Sequence, residues 1–193
     1  MITKMENNAI LLQKTKELML GIIAQNGSDP WCLTSHLPEA QKWARFLTMN
    51  HPEADSEVVV LSVWLHDSGH YPITPEDHAI KSEKIAKDFL EKEKFNPAKL
   101  ALVLHCVRAH RCKDVQPESL EAKILACADS ASHMTDSSMY PSMLRDKRAV
   151  LTLEKLERDY RDTKSFPEVQ EKLKDFYEAW KKILTAYIKL DLE

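Results

Sequence analysis

Apolar residues recur every three or four positions along most of the chain, the period of helices with one buried face. The pattern predicts a first helix from about Met5 to Ala24, stopped by Gly27 and the Ser28-Asp29-Pro30 turn. A second runs from about Ser35 to Met49 and is broken by His51-Pro52. A third begins near Ala54 and contains Val58-Val59-Val60-Leu61-Ser62-Val63-Trp64-Leu65, which is apolar on nearly every side. That run would also suit a strand, but its length and the lack of a partner strand make it a buried central helix. A fourth helix is predicted over roughly Pro75 to Glu93 and a fifth from Asn96-Pro97 to about His110. A sixth runs from Pro117-Glu118 to about His133, and two charged amphipathic helices follow Pro141 and Pro167. The expected fold is all-α, an irregular bundle of about eight helices forming a single domain over 1–193, with the helices of 141–190 packed on the rest.

A few polar residues fall in line with the apolar stripes. His36 aligns with Ala40, Trp43 and Leu47, and His78 with Ser82, Ile85 and Phe89. His110 lies at the edge of the stripe Leu100, Val103, Leu104 and Val107, whereas His105 projects from the far side. Asp129 follows Ala122, Leu125 and Ala126; the opposite face of that helix is apolar too, so it should be buried on two sides. His66 and Asp67 close the most hydrophobic helix. A single histidine on an apolar face is more often a core residue bonded to a carbonyl than a metal ligand. A carboxylate in such a setting is harder to accommodate, because an unpaired buried charge costs several kcal/mol. Five helices aiming His or Asp at one interior point to a metal site. Imidazole and carboxylate together suit Mn, Fe, Co, Ni or Zn, as one or two ions.

Composition narrows the remaining classes. Only three glycines occur in 193 residues, which favours helix and leaves no material for a glycine-rich phosphate loop. A net charge of −3 argues against polymeric nucleic acid as a partner. No apolar run is long enough for a bilayer, and Cys32, Cys106, Cys112 and Cys127 form no CxxC pair, so we expect reduced thiols and a cytoplasmic location without membrane contact.

The order His36 … His66-Asp67 … Asp129 resembles the HD-domain metal-dependent phosphohydrolase superfamily. His66-Asp67-Ser68-Gly69-His70-Tyr71-Pro72 is close to the family's HD-hydrophobic-GH-x-P form, with Ser68 where an apolar residue is usual. Asp129 in Ala-Cys-Ala-Asp-Ser-Ala is similar to the family's final aspartate, and the resemblance spans about Trp31 to His133. It implies that His36, His66, Asp67 and Asp129 hold one metal, and that His78 and His110 match the further histidines of binuclear members, with Asp67 bridging. No substrate subfamily is matched: a Glu-Asp pair after Asp67 is missing, position 70 is His rather than Glu, and Arg111-Cys112-Lys113-Asp114 stands where a Gly-Tyr-Pro signature would follow His110.

The implied activity is cleavage of a phosphate mono- or diester of a small, nucleotide-like substrate through a metal-activated water. Asp67 and His70 are the expected catalytic residues, and Arg111, Lys113 and Arg145 the expected substrate-binding ones. Arg108 and His110 share that basic stretch, and Lys147 and Arg148 lie beside Arg145; exposed cations at a helix C-terminus also simply favour its dipole. His133 reads as a partner of the ligands or as surface, His51 as a turn residue, and Trp31, Trp43 and Trp64 as core. A di-iron oxygenase and a non-catalytic metal-binding regulatory module are the alternatives, separable by metal identity, oxygen consumption and loss of ligands. A dimer is possible through the C-terminal helices.

Overall fold

A computed structural model describes residues 4–190. Its elements are α1 (Lys4–Asn26), α2 (Leu33–Asn50), α3 (Ser56–Leu65), a 3-10 turn at Ser68–His70, α4 (His78–Lys92), α5 (Pro97–Ala109), α6 (Leu120–Thr135), α7 (Met139–Arg145), α8 (Ala149–Asp162), a 3-10 turn at Thr163–Ser165, and α9 (Pro167–Lys189). There is no strand among the described residues, so the apolar run at 58–65 is a helix. No helix is long and apolar enough to cross a membrane.

Side-chain caps set the starts of α3, α4, α5 and α6. Asp55 accepts from Glu57 N and Val58 N ahead of α3, Asp77 from Ala79 N ahead of α4, and Asn96 from Ala98 N and Lys99 N ahead of α5. The caps also explain where boundaries differ from expectation. Pro117 looks like a first helical residue, but the hydroxyl of Ser119 accepts from Ala122 N and starts α6 at Leu120. Pro141 lies inside the first turn of α7 rather than before it, where a missing N–H costs nothing. Lys147 at φ 57 then breaks the chain, so the segment after Pro141 is two helices, α7 and α8, before α9.

α3 and α6 form the centre. Seven residues of α3 are buried, and α6 is buried from Ala122 to Met134 except at Lys123. α6 packs against α2, α3, α5, α7, α8 and α9, while α1, α4 and α5 close around α3. Asp29 ties the start of α2 to the loop after α3. Its carboxylate accepts from Leu33 N at 2.9 Å, Thr34 N at 2.8 Å and the Tyr71 hydroxyl at 2.7 Å.

The turn after α3 is pinned at Gly69. Its N–H donates to Ser82 Oγ at 2.8 Å on α4. A Cβ there would run into His78 O and lie 2.6 Å from Ser82 N, so α4 reaches the turn only because position 69 carries no side chain. Gly69→Ala should therefore cost about 1–3 kcal/mol, the usual penalty for overpacking. Thermal denaturation would read this as a midpoint lower by several degrees; an unchanged midpoint would contradict the close approach.

Candidate metal centre

Five helices deliver six donors to one place. His36 comes from the first turn of α2, His66 and Asp67 from the end of α3, His78 from the start of α4, His110 from the end of α5 and Asp129 from mid-α6. His36 and His66 are fully buried, and His110, Asp67 and Asp129 nearly so.

The donor atoms fall into two sets that share Asp67. In the first, His36 Nε2 lies 3.3 Å from His66 Nε2 and 3.1 Å from Asp129 Oδ1. His66 Nε2 lies 3.4 Å from both Asp129 Oδ1 and Asp67 Oδ2, and His36 Nε2 is 3.7 Å from that Asp67 oxygen. In the second, His78 Nε2 and His110 Nε2 are 3.2 Å apart and lie 3.5 and 3.6 Å from Asp67 Oδ1. His70 Nε2 is 3.5 Å from the same oxygen, its ring stacked on His78 with centroids 3.9 Å apart. Two ligands bonded to one ion at about 2.0–2.2 Å sit roughly 3.0–3.5 Å from each other in tetrahedral or octahedral geometry. Both sets have that spacing except at His36–Asp67 and His110–Asp67, which at 3.7 and 3.6 Å lie just beyond it.

The histidines are prepared for this by the bonds on their outer nitrogens. His66 Nδ1 faces Val63 O at 2.8 Å and His110 Nδ1 faces Val107 O at 2.7 Å. A carbonyl only accepts, so each Nδ1 carries the proton and each neutral ring turns a lone pair inward at Nε2. Ser132 donates its hydroxyl hydrogen to Asp129 O at 2.7 Å and thus accepts from His36 Nδ1 at 2.9 Å, with the same result. With both rings neutral the His36 and His66 lone pairs would face one another across 3.3 Å, an arrangement relieved by a proton on His66 or by a metal ion between them.

Electrostatics agrees. Burial holds His78 down to about 3 and His110 to about 4, and lowers His36 despite the neighbouring carboxylates. Burial would lower His66 as well, but Asp67 and Asp129 override it and carry His66 well above its ordinary value. Burial alone would raise both carboxyls; the adjacent histidines keep Asp67 and Asp129 well below the carboxylate range. No Lys or Arg among the described residues pairs with either carboxylate. A divalent cation fits this donor set and would supply positive charge at both carboxylates.

The cluster floors a cavity of about 260 Å³. Arg111 and Lys113 line it, Arg111 being ion-paired with Asp77. Arg145 is not among the lining residues, whereas Arg148, beyond the turn at Lys147, is. Arg108 pairs with Asp114 outside the cavity. Trp31, expected in the core, is 40% exposed and lines the cavity with its ring 4.7 Å from His70. Trp43 and Trp64 are partly and fully buried, and His51 caps α2 and meets Glu168 at 2.9 Å. His105 accepts from Glu118 N, apart from the cluster. Sequence reasoning missed Lys155, Arg158 and Asp159 on α8, all of which line the cavity. The signal for Asp159 was present: it continues the buried stripe Thr152, Leu156 of an otherwise charged helix.

A family model described as HD domain matches residues 34–134, which include all six donors and end before α7. No curated protein and no solved structure matches the chain.

Three substitutions test the orientation of the rings and the assignment of faces. Ser132→Ala should weaken divalent-ion affinity about 10- to 100-fold, as loss of a bond behind a ligand does elsewhere. His110→Ala should lower metal content while His105→Ala leaves it unchanged; elemental analysis of the purified variants decides, and the reverse pattern would refute the assignment of faces.

Proposed function

Because the chain belongs to the HD domain family, we propose that it is a metal-dependent phosphohydrolase acting on a small, nucleotide-like phosphate mono- or diester. The observation that carries the reading is the position of Asp67, whose Oδ2 faces His36 and His66 while its Oδ1 faces His78 and His110. That supports a binuclear centre with Asp67 as the shared carboxylate, Asp129, His36 and His66 completing one side, and His78 and His110 the other. The mixed imidazole and carboxylate donors favour Mn, Fe, Co, Ni or Zn over Mg or Ca. When bound, such ions make water a stronger nucleophile near neutral pH and offset charge on phosphoryl oxygens.

The chain's own residues do the rest. Arg111, oriented by Asp77, and Lys113 hold phosphate oxygens from the wall beside His110. Arg148 takes the role expected of Arg145. His70, next to Asp67 at the cavity floor, donates a proton from Nε2 to the leaving oxygen. Trp31, Leu33, Met139 and Met143 form an apolar wall against which a base or other flat leaving group can lie. A cavity of about 260 Å³ suits a small molecule. The cysteines are all free thiols, which is compatible with the expected cytoplasmic location.

The test joins elemental analysis to phosphate release from a panel of mono- and diesters, including nucleotides. The protein should hold one to two transition ions per chain, and Asp67→Ala should lose both the ions and more than about 99% of the activity. Phosphate release unaffected by Asp67→Ala would sink the proposal. Oxygen consumption by an iron-loaded protein that releases no phosphate would replace it with the oxygenase reading.

A further inference from the structure

His133 sits one turn beyond Asp129 on α6, 6% exposed, with its ring parallel to that of His36 at 4.9 Å between centroids. Its Nε2 lies 3.4 Å from Asp129 Oδ1. A charge-assisted hydrogen bond between imidazole and carboxylate would be about 2.7–2.9 Å. The observed separation is instead that of His66 from Asp129, also 3.4 Å, a pair that shares one side of the cluster. His133 Nε2, His36 and Asp129 present donor atoms all within 4.8 Å of one another.

The other nitrogen is held from outside the matched family segment. His133 Nδ1 lies 3.1 Å from Asp159 Oδ2 on α8. Asp159 is 3% exposed, accepts from the Tyr140 hydroxyl at 3.0 Å, and meets Lys155 Nζ at 3.2 Å. Lys155 Nζ is also 3.0 Å from His133 Nδ1. An ammonium only donates, so Nδ1 accepts from Lys155 in one tautomer and donates to Asp159 in the other; in the second, Lys155 keeps both Asp159 oxygens as acceptors, at 3.3 and 3.2 Å. A buried carboxylate gains more from a third donor than the lysine does from a third acceptor. With Nδ1 donating to Asp159, the arrangement is the carboxylate–histidine pairing found behind metal ligands, in which the Nε2 lone pair is free to face an ion.

We propose that His133 is a further ligand of the ion held by His36 and Asp129, and that Asp159 on α8 is the positioning residue that orients it. The C-terminal helices thereby become part of the metal centre, although the family match ends at residue 134. This rests on the reading of the cluster as a metal centre.

Metal-stripped full-length protein titrated with Co2+ tests it, because the visible absorption of Co2+ reports affinity and also coordination number. In His133→Ala the affinity should fall at least about 10-fold and the band should change in intensity. In Asp159→Asn the affinity should fall about 10-fold, whereas Lys155→Met, which removes a nearby positive charge, should bind as tightly as the parent or more so. If His133→Ala proves unfolded by circular dichroism, His133→Gln reads the same band with the volume restored. Parent affinity and an unchanged band in the His133 variants would overturn the ligand role. Weaker binding in Lys155→Met with parent affinity in Asp159→Asn would overturn the role of Asp159. A parent protein that takes up no Co2+ would instead fail the metal-centre reading itself.

Discussion

The carboxylates of Asp67 and Asp129 are buried together in a helical bundle, and their closest charged or chargeable partners are histidines. Removing two such charges from water costs several kcal/mol each unless opposite charge is supplied at close range. The bundle supplies it in a particular way: imidazole lone pairs and carboxylate oxygens converge from five helices, leaving the positive charge to a proton or a metal ion. A proton satisfies one pair of atoms at a time. A divalent ion satisfies a whole set, and there are two sets. The shape of the fold around α3 and α6 follows from bringing these five helix segments within a few ångströms.

That convergence depends on residues that never touch the centre. The apolarity of α3 drives its end, with His66 and Asp67, into the interior. Gly69 lets α4 approach closely enough to deliver His78. Tyr71 and Asp29 fasten the turn after α3 to the start of α2, one turn before His36. Val63, Val107 and Ser132 then fix the ring nitrogens. Each of these contacts positions a donor side chain through backbone or hydrogen bonding, so damage at any of them should be felt as misplacement of the cluster as well as loss of stability.

Much of this was legible in the sequence, for identifiable reasons. His36 and Asp129 lie in register with apolar stripes, and a helix that buries the stripe must bury them too, while His78 lies at the edge of the buried face of α4 and is half-buried. Asn96-Pro97 and Gly27 mark helix ends by local chemistry alone, and the helices begin and end there. Less legible were features set by tertiary contact. Trp31 looks like core because it is large and apolar, yet it lines the cavity beside His70 because the α2 entry runs past the turn after α3. Arg145 and Arg148 are indistinguishable by composition, and only the turn between α7 and α8 decides which of them reaches the wall. Asp159 continues the stripe of Thr152 and Leu156, but that signal is weak against the alternating charges of α8, where a carboxylate reads as one more solvated residue.

The limits of the family segment and of the physical site therefore differ. All six donors lie within residues 34–134, where the chemistry common to the family is encoded. The cavity above them is closed by α7 and α8, which contribute Met139, Met143, Arg148, Lys155 and Arg158 from beyond that segment. A metal centre can activate water for many phosphate esters, so discrimination among them must come from groups that touch the remainder of the substrate. In this chain the cavity wall is shared between the matched segment, with Arg111 and Lys113, and the helices beyond it. The HD match accordingly accounts for the donor cluster, while much of the apolar and basic wall above that cluster stands on α7, α8 and the turn between them.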